Sequence, residues 1–397
     1  MNKTNKLILV GFAEALSSPE VIWCLLDAGF RVAAFTSGKH NSPLHWIKSV
    51  DVFKVTALRD NAEKTIAEVR SLYKEIKASA ILPLNDSALW LCNKLADDPE
   101  IITAGPTDIR ARFSLDKRLQ IEAARDAGFH VPDTFIIENI SDSEQIVNYP
   151  VIVKSAMAVA EIAGQPLGKE PIHFCNDRHE FENAIKAWRK KQPLLVQTIH
   201  KGTGEGLFGF ATDDDIILWT AHQRIRMMNP KGSGASACRS IPITDHPVNC
   251  ARHMLLKLQW RGMFMIEMLR DEAGKLWFVE LNGRAWGSTA LALRMGYDYP
   301  AWTVMQTLDP NFHPSQPAPR DFVVCRNLGR ELIHILQVLR GPSSEAIPNW
   351  PPFWRSFFDV LHFRKSDRWY NWRDGHAGFF IADTYNTIMS ETLRKWL

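Results

Sequence analysis

Long hydrophobic runs are missing from this sequence: no stretch approaches the ~20 apolar residues that a membrane-spanning helix needs. Leu7 to Val10 is apolar and follows two lysines, but it meets Glu14 within a turn, so a first strand is expected there rather than a signal peptide. Cysteine is sparse and unpatterned. Cys24, Cys92, Cys175, Cys238, Cys250 and Cys325 form no CxxC and no Cys/His spacing, which argues against both a zinc site and a disulfide framework. Excess charge of one sign is lacking too. The 47 basic and 44 acidic residues leave a net charge of +3, so no nucleic-acid footprint is expected. Glycine is scarce where a dinucleotide would need it: only Gly11 sits at the first strand-helix turn, and no NAD site is expected. Internal repeats and low-complexity runs are absent. What remains is a globular protein, with cytoplasmic residence as the default expectation.

A chain of 397 residues is too long for one ordinary domain, and two or three are expected. Residues 1–113 alternate strand and helix: Lys6–Val10, Pro19–Ala28 (helix), Arg31–Phe35, Val52–Val55, Asn61–Lys77 (helix) and Ala80–Leu84. Such alternation predicts a parallel sheet covered by helices. From Leu115 an amphipathic helix with a glycine stop carries Lys117 near its start, and the apolar strand Tyr149–Lys154 ends in a lysine. Gln192–Gly209 reads as a strand, a glycine-rich turn and a second strand. Gly204 to Gly209 formally matches GxGxxG, but no helix follows, so a hairpin is expected. A strand from Ile216 then leads into His222, Arg224 and Arg226, which alternation places on one side, and on into a Gly/Ser loop. A charged outer strand is the competing reading.

The stretch Gly262–Ser288 is the most informative. Two apolar runs flank Asp271-Glu272-Ala273-Gly274, the pattern of a β-hairpin, and each run holds one carboxylate, Glu267 and Glu280. If Asp271 pairs with Leu276, the register sets Glu267 opposite Glu280. Directly opposed carboxylates repel. Apolar residues on both faces of the ribbon deny them an easy escape to water, so a cation is called for. Asn282 projects from the same face and supplies a third oxygen, a hard donor set suited to Mg²⁺ bound together with phosphates. Two glutamates solvated at strand ends are the alternative.

Glu267 followed by Glu280-Leu281-Asn282-Gly283-Arg284 resembles the metal and catalytic signature of the ATP-grasp ligases. The resemblance covers residues 1 to about 305, with its motifs in the family's order. It implies an N-terminal open parallel α/β domain (1–113), a two-lobed ATP-grasp core (114–308) and, beyond the family's part, a C-terminal mainly helical extension (321–397). Glu267, Glu280 and Asn282 become the metal ligands, for Mg²⁺ with Mn²⁺ as the alternative. Lys117 and Lys154 become phosphate ligands of ATP, Gln197 opens the hinge between the lobes, backbone groups of Thr198 and His200 meet the adenine, and Glu205 takes a ribose hydroxyl. Many relatives have Glu in place of Gln197; an amide both donates and accepts, so adenine binding survives the change. Arg284 becomes the catalytic arginine, and the His-x-Arg-x-Arg stretch, similar to that of a carboxylate-amine ligase subgroup, adds Arg226. Pro83-Leu84-Asn85-Asp86 is expected on the rim of the substrate cleft. The dense glycine loop that many members carry after the second lysine is replaced here by Ser155–Glu161, with glycines only at Gly164 and Gly168 and with Lys169 nearby.

The residues after the proline-rich linker Asp309–Asp321 show helical periodicity from Val323 to Leu339, then crowd aromatics among basic residues. Core or partner packing is expected of them; a homodimer partner or a membrane surface is the competing assignment. The implied function is an ATP- and Mg²⁺-dependent ligase that activates a small carboxylate as an acylphosphate and joins it to an amine. The alternatives are ATP-dependent phosphorylation or carboxylation, and a nucleotide-binding module without turnover.

Overall fold

The computed structural model describes residues 5–37, 42–146, 148–162, 165–167, 172–188, 192–230, 233–318, 320, 322–342 and 350–393. The chain begins with β1 (Leu7–Gly11), α1 (Ser18–Asp27), β2 (Arg31–Thr36), β3 (Val50–Lys54), α2 (Ala62–Glu75), β4 (Ala80–Pro83), α3 (Asp86–Leu95) and α4 (Asp108–Leu115). The four strands form a parallel sheet in the order β3-β2-β1-β4. Helices cover both faces, so every residue of β1 is buried and the strand reads as a continuous apolar run. Asn61 and Asn85 cap α2 and α3 by accepting from the Lys64 and Ala88 amides, which fixes where each helix starts.

The first lobe of the next unit opens with α5 (Lys117–Asp126), β5 (Thr134–Ile137), β6 (Val151–Ser155), β7 (Ala160–Ile162), β8 (Gln165–Leu167), β9 (His173–Cys175), α6 (Arg178–Ala187) and β10 (Leu194–Thr198). Its sheet has the order β5-β10-β6-β9, all antiparallel, with α6 packed on one face against Val151, Val153, Leu194 and Val196. Strand alternation therefore turns Ile152 and Lys154 to the opposite face. The second lobe contains β11 (Thr203–Ala211), β12 (Ile216–Asn229), β13 (Ser233–Ile241), α7 (Asp245–Lys257), β14 (Gly262–Arg270), β15 (Leu276–Asn282), α8 (Thr289–Arg294) and α9 (Tyr299–Leu308). The chain ends with β16 (Val324–Arg326), α10 (Leu328–Arg340), α11 (Phe353–Leu361), β17 (Asp367–Trp369) and α12 (Ala377–Leu393).

Three local expectations are corrected. Gly204 and Gly206 lie inside β11 rather than in a turn, because the turn closes earlier, at Gly202, where a Cβ would stand 2.1 Å from the Arg270 carbonyl oxygen. Val324–Arg326 is a strand although helical periodicity begins at Val323. Asn327, whose side chain accepts from the Arg330 amide, is the cap that delays the helix. The C-terminal segment also does not stand apart as helices alone: β16 and β17 extend the second lobe's sheet, giving the order β15-β14-β11-β12-β13-β16-β17. Its last helix returns to the N-terminal unit, with Phe379 packed edge-on against Trp23. Gly164, Gly168, Lys169, Lys231 and Gly232 lie outside the described residues.

Candidate active site

Glu267 and Glu280 are paired directly across β14 and β15, as the hairpin pattern predicts, but by a different route. Arg270, not Asp271, pairs with Leu276, which alone would put the glutamates out of step. A bulge beyond Met268 absorbs one residue and restores the opposition. Asn282 lies opposite Met265, and its amide nitrogen is 3.3 Å from Glu280 Oε1. Each carboxylate also faces a cation from another element: Arg224 of β12 is 2.7 Å from Glu267, and Lys117 at the start of α5 pairs with Glu280. Burial works against the Lys117 charge, but Glu280, followed by Asp86 and Glu267, outweighs it and raises its pKa. Among the described residues no group of three or more His, Cys, Asp or Glu side chains could hold a metal ion. The hairpin offers two carboxylates and an amide, an oxygen set that fits Mg²⁺ provided the ion shares those carboxylates with Lys117 and Arg224.

Lys154, the last residue but one of β6, lies on the face turned away from α6 and feels the charges of Lys117, Glu280 and Glu267. Burial, reinforced by Lys117, lowers its pKa to about 8. At the hinge, Gln197 is buried and donates to Thr134 Oγ1 at 2.8 Å. The Thr198 amide donates to the Asp133 carbonyl, so a ligand cannot use that donor without displacing it. His200 stacks on Trp277 with ring centroids 3.6 Å apart, and Lys275 covers the same indole at 4.2 Å.

Arg284 lies just past the end of β15 rather than on it, and reaches into the N-terminal unit, where its Nε stands 3.0 Å from Asp86 at the start of α3. Burial opposes its charge; Asp86, then Glu280 and Glu267, hold it above the ordinary value. Gly283 allows this arrangement. A Cβ there would come within 2.6 Å of Ser114 Oγ and 2.8 Å of Trp260. Sequence reasoning missed Gln120, a fully buried side chain on α5. Its amide donates to the carbonyls of Phe113, Ser114 and Leu281 and accepts from the Leu281 amide, all within 3.0 Å. Strand β15 is an edge strand, so its outward backbone groups need partners, and Gln120 supplies them midway between Glu280 and Asn282. Such a clamp has no local signal, since 161 residues separate its partners.

Two of the expected residues are engaged elsewhere. Strand β12 shifts register between Arg224 and Arg226, which breaks the alternation that put them on one side. Arg226 turns to the buried carboxylate of Glu331 on α10, shared with Arg326, and does not join the carboxylate cluster. Glu205 is gripped at both oxygens by Arg270, at 2.8 and 2.9 Å, and accepts a third bond from Gln223. His222, fully buried, bonds Ser288 Oγ at 2.6 Å through Nδ1, while its Nε2 has no partner among the described residues. Burial, aided by the Arg224 charge, drives its pKa down to about 3, so it is neutral.

Where the glycine loop of the resembled family would lie, the hairpin β7–β8 follows β6. Glu161 on it is 3.1 Å from the Trp90 indole nitrogen and 2.9 Å from Lys94, both on α3. At the carboxyl ends of β1 and β2, the position of ligand crevices in open α/β sheets, lies a cavity of about 350 Å³. Glu14, Thr36, Met228, Arg330 and Asp383 are among its lining residues. None of the cluster residues lines it, and Met228 is four residues beyond Arg224 on β12, about 13 Å along the strand. Burial raises the Asp383 pKa against the pull of an Asn371 hydrogen bond and the Arg330 charge.

No family model matches the sequence, and no curated protein matches it. Solved structures do. An L-amino acid ligase from Bacillus licheniformis superposes with a TM-score of 0.63 at 14% identity, over 82% of this chain and 80% of that one. The ADP complex of an N5-carboxyaminoimidazole ribonucleotide synthetase gives 0.65 at 11% identity, over 91% and 98%. The biotin carboxylase domain of the Hydrogenobacter thermophilus 2-oxoglutarate carboxylase, crystallised as a dimer with MgADP, ADP and bicarbonate, gives 0.64 at 18%, over 80% and 73%. With a four-stranded antiparallel lobe, a second lobe whose sheet carries the Glu267–Glu280 hairpin, and an open α/β unit ahead of them, this chain has the fold of the ATP-grasp ligases.

Proposed function

We propose that this protein is an ATP-dependent carbon-nitrogen ligase that activates a small carboxylate as an acylphosphate and joins it to an amine. One observation carries the reading: Glu267, Glu280, Lys117, Lys154 and Arg284, from four separate elements and the loop after β15, come close enough to feel one another's charges. Glu267, Glu280 and Asn282 would hold Mg²⁺, which when bound neutralises phosphate charge. Lys154 and Lys117 hold the triphosphate and offset the repulsion between the entering carboxylate and the γ-phosphate. A carboxylate oxygen bonds to the γ-phosphorus as the bond to ADP breaks. The amine nitrogen then attacks the acyl carbon, phosphate departs, and the amine proton is lost to solvent. Arg284, a charged planar fork, binds the transferring phosphoryl oxygens and the oxyanion of the tetrahedral adduct. Adenine lies at the hinge, beside Gln197, Thr198 and the stacked His200.

The test is ADP release from ATP and Mg²⁺ with panels of carboxylates and amines, hydroxylamine serving as a trap. A hydroxamate, formed only when a carboxylate is present, is the expected product. ADP release without a hydroxamate would instead indicate transfer to another acceptor, and no release with any pair would sink the reading. Glu280→Gln should abolish turnover with an unchanged circular dichroism spectrum; unaltered activity would remove Glu280 from the site.

A further inference from the structure

Helix α11 sets Phe353, Ser356, Phe357 and Val360 on its inner face, where the three apolar side chains are half-buried. Its only buried residue is Ser356, whose hydroxyl meets His334 Nε2 of α10 at 3.2 Å. Its C-terminal end is held by Arg326, which donates to the carbonyls of Val360 and, at 2.9 Å, His362. A second apolar side faces outward. Trp354, Phe358 and Leu361, spaced to lie along one stripe, are 66%, 63% and 63% exposed, and Phe363 just beyond is also exposed. These rings contact one another at the surface, Trp354 with Phe358 at 6.3 Å and Phe357 with Phe358 at 5.7 Å. The helix that α11 packs on, α10, likewise exposes Leu332, Leu336 and Leu339. A surface helix usually keeps its outer side polar; α11 carries apolar residues on both sides, and so large an exposed apolar face marks an interaction surface.

Charge indicates what covers it. Between Phe353 and Arg368 the exposed charged residues are Arg355, Arg364, Lys365 and Arg368 against Asp359, four minus one, or +3. A two-fold copy of this surface would set the basic groups against their own counterparts, a repulsive arrangement. An anionic bilayer supplies the opposite charge and, at the level of its headgroups, a boundary that suits Trp and Phe rings flanked by Arg and Lys. We propose that α11 and the following segment through Arg368 form a docking surface for anionic lipid membranes, with Trp354, Phe358 and Leu361 inserted at the headgroup boundary and Arg355, Arg364, Lys365 and Arg368 on the lipid phosphates. No helix among the described residues is long and apolar enough to cross a membrane, so docking is peripheral.

Co-sedimentation of the full chain with vesicles of phosphatidylcholine, alone or mixed with phosphatidylglycerol, tests this. Binding to the mixed vesicles alone, weakened by salt, is expected. The double variant Arg364→Glu/Lys365→Glu should bind about 25-fold more weakly or worse, at about fivefold per positive charge removed near an anionic surface. Trp354→Ser/Phe358→Ser should lose at least tenfold. All four positions are exposed, so an unchanged melting temperature is expected and serves as the folding control. Equal binding to both vesicle types, or none to either, overturns the proposal. So does a concentration-dependent dimer in sedimentation velocity that Trp354→Ser/Phe358→Ser dissolves, since a second copy would then be the occupant.

Discussion

Lys154 is a lysine whose charge the fold holds in check. Its ordinary pKa of 10.5 falls to about 8 because burial penalises the ammonium and Lys117 adds like charge. A triphosphate would favour the protonated form, so ATP affinity is expected to be full below pH 8 and to decline above it as the free protein loses that proton. Above pH 8, ATP binding should also be accompanied by proton uptake, measurable by titration calorimetry in buffers of different ionisation enthalpy. Lys154→Ala should flatten that dependence; a variant that keeps it would exclude Lys154. Arg284 answers a different question. Arg284→Lys keeps charge but loses the fork, so kcat should fall by about two orders of magnitude or more with little change in KM for ATP. A raised KM with intact kcat would make Arg284 a binding residue only.

At the level of elements, the site depends on how β15 is held. It is the last strand of its sheet, and it presents Glu280 and Asn282 correctly only because the bulge sets its register and Gln120 satisfies its outer edge. Gln120→Leu removes four hydrogen bonds and leaves a buried amide and buried carbonyls unsatisfied. A loss of about 3 kcal/mol is expected, read from the urea midpoint with the m-value unchanged, and the variant should lose turnover more than the stability change explains. The hairpin β7–β8 shows the same kind of dependence, since Glu161 ties it to α3 and so couples the residues after Lys154 to the N-terminal unit.

Across the whole molecule, the C-terminal segment closes what the other units leave open. Buried Arg326 bonds both Glu331 and Asp367, and with Arg226 forms a charge network that joins β12, β16, α10 and β17. Such a network tolerates no missing partner, because the remaining charge would be stranded in a poor dielectric. Through α12 the same segment brings Asp383 to the cavity opposite Glu14 of the N-terminal unit.

The order of strands and helices from β1 to β4, the β14–β15 hairpin and the position of Lys154 near the end of its strand were legible in the sequence because each follows from a local period or a turn, whereas the helices after β4 were not foreseen and the opposition of Glu267 and Glu280 was reached through a register the structure does not use. What the sequence could not decide was set by contacts between distant residues. The bulges in β12 and β15 reassigned Arg226 and rescued the glutamate pairing, yet a bulge leaves no mark on a period-two pattern. Glu205 met Arg270, Lys117 met Glu280 and Arg284 met Asp86 across separations of 65, 163 and 198 residues. A charged residue's composition and spacing are local properties; the choice among its available counter-charges is made by the packing that removes water from one of them, and only the tertiary structure contains that packing.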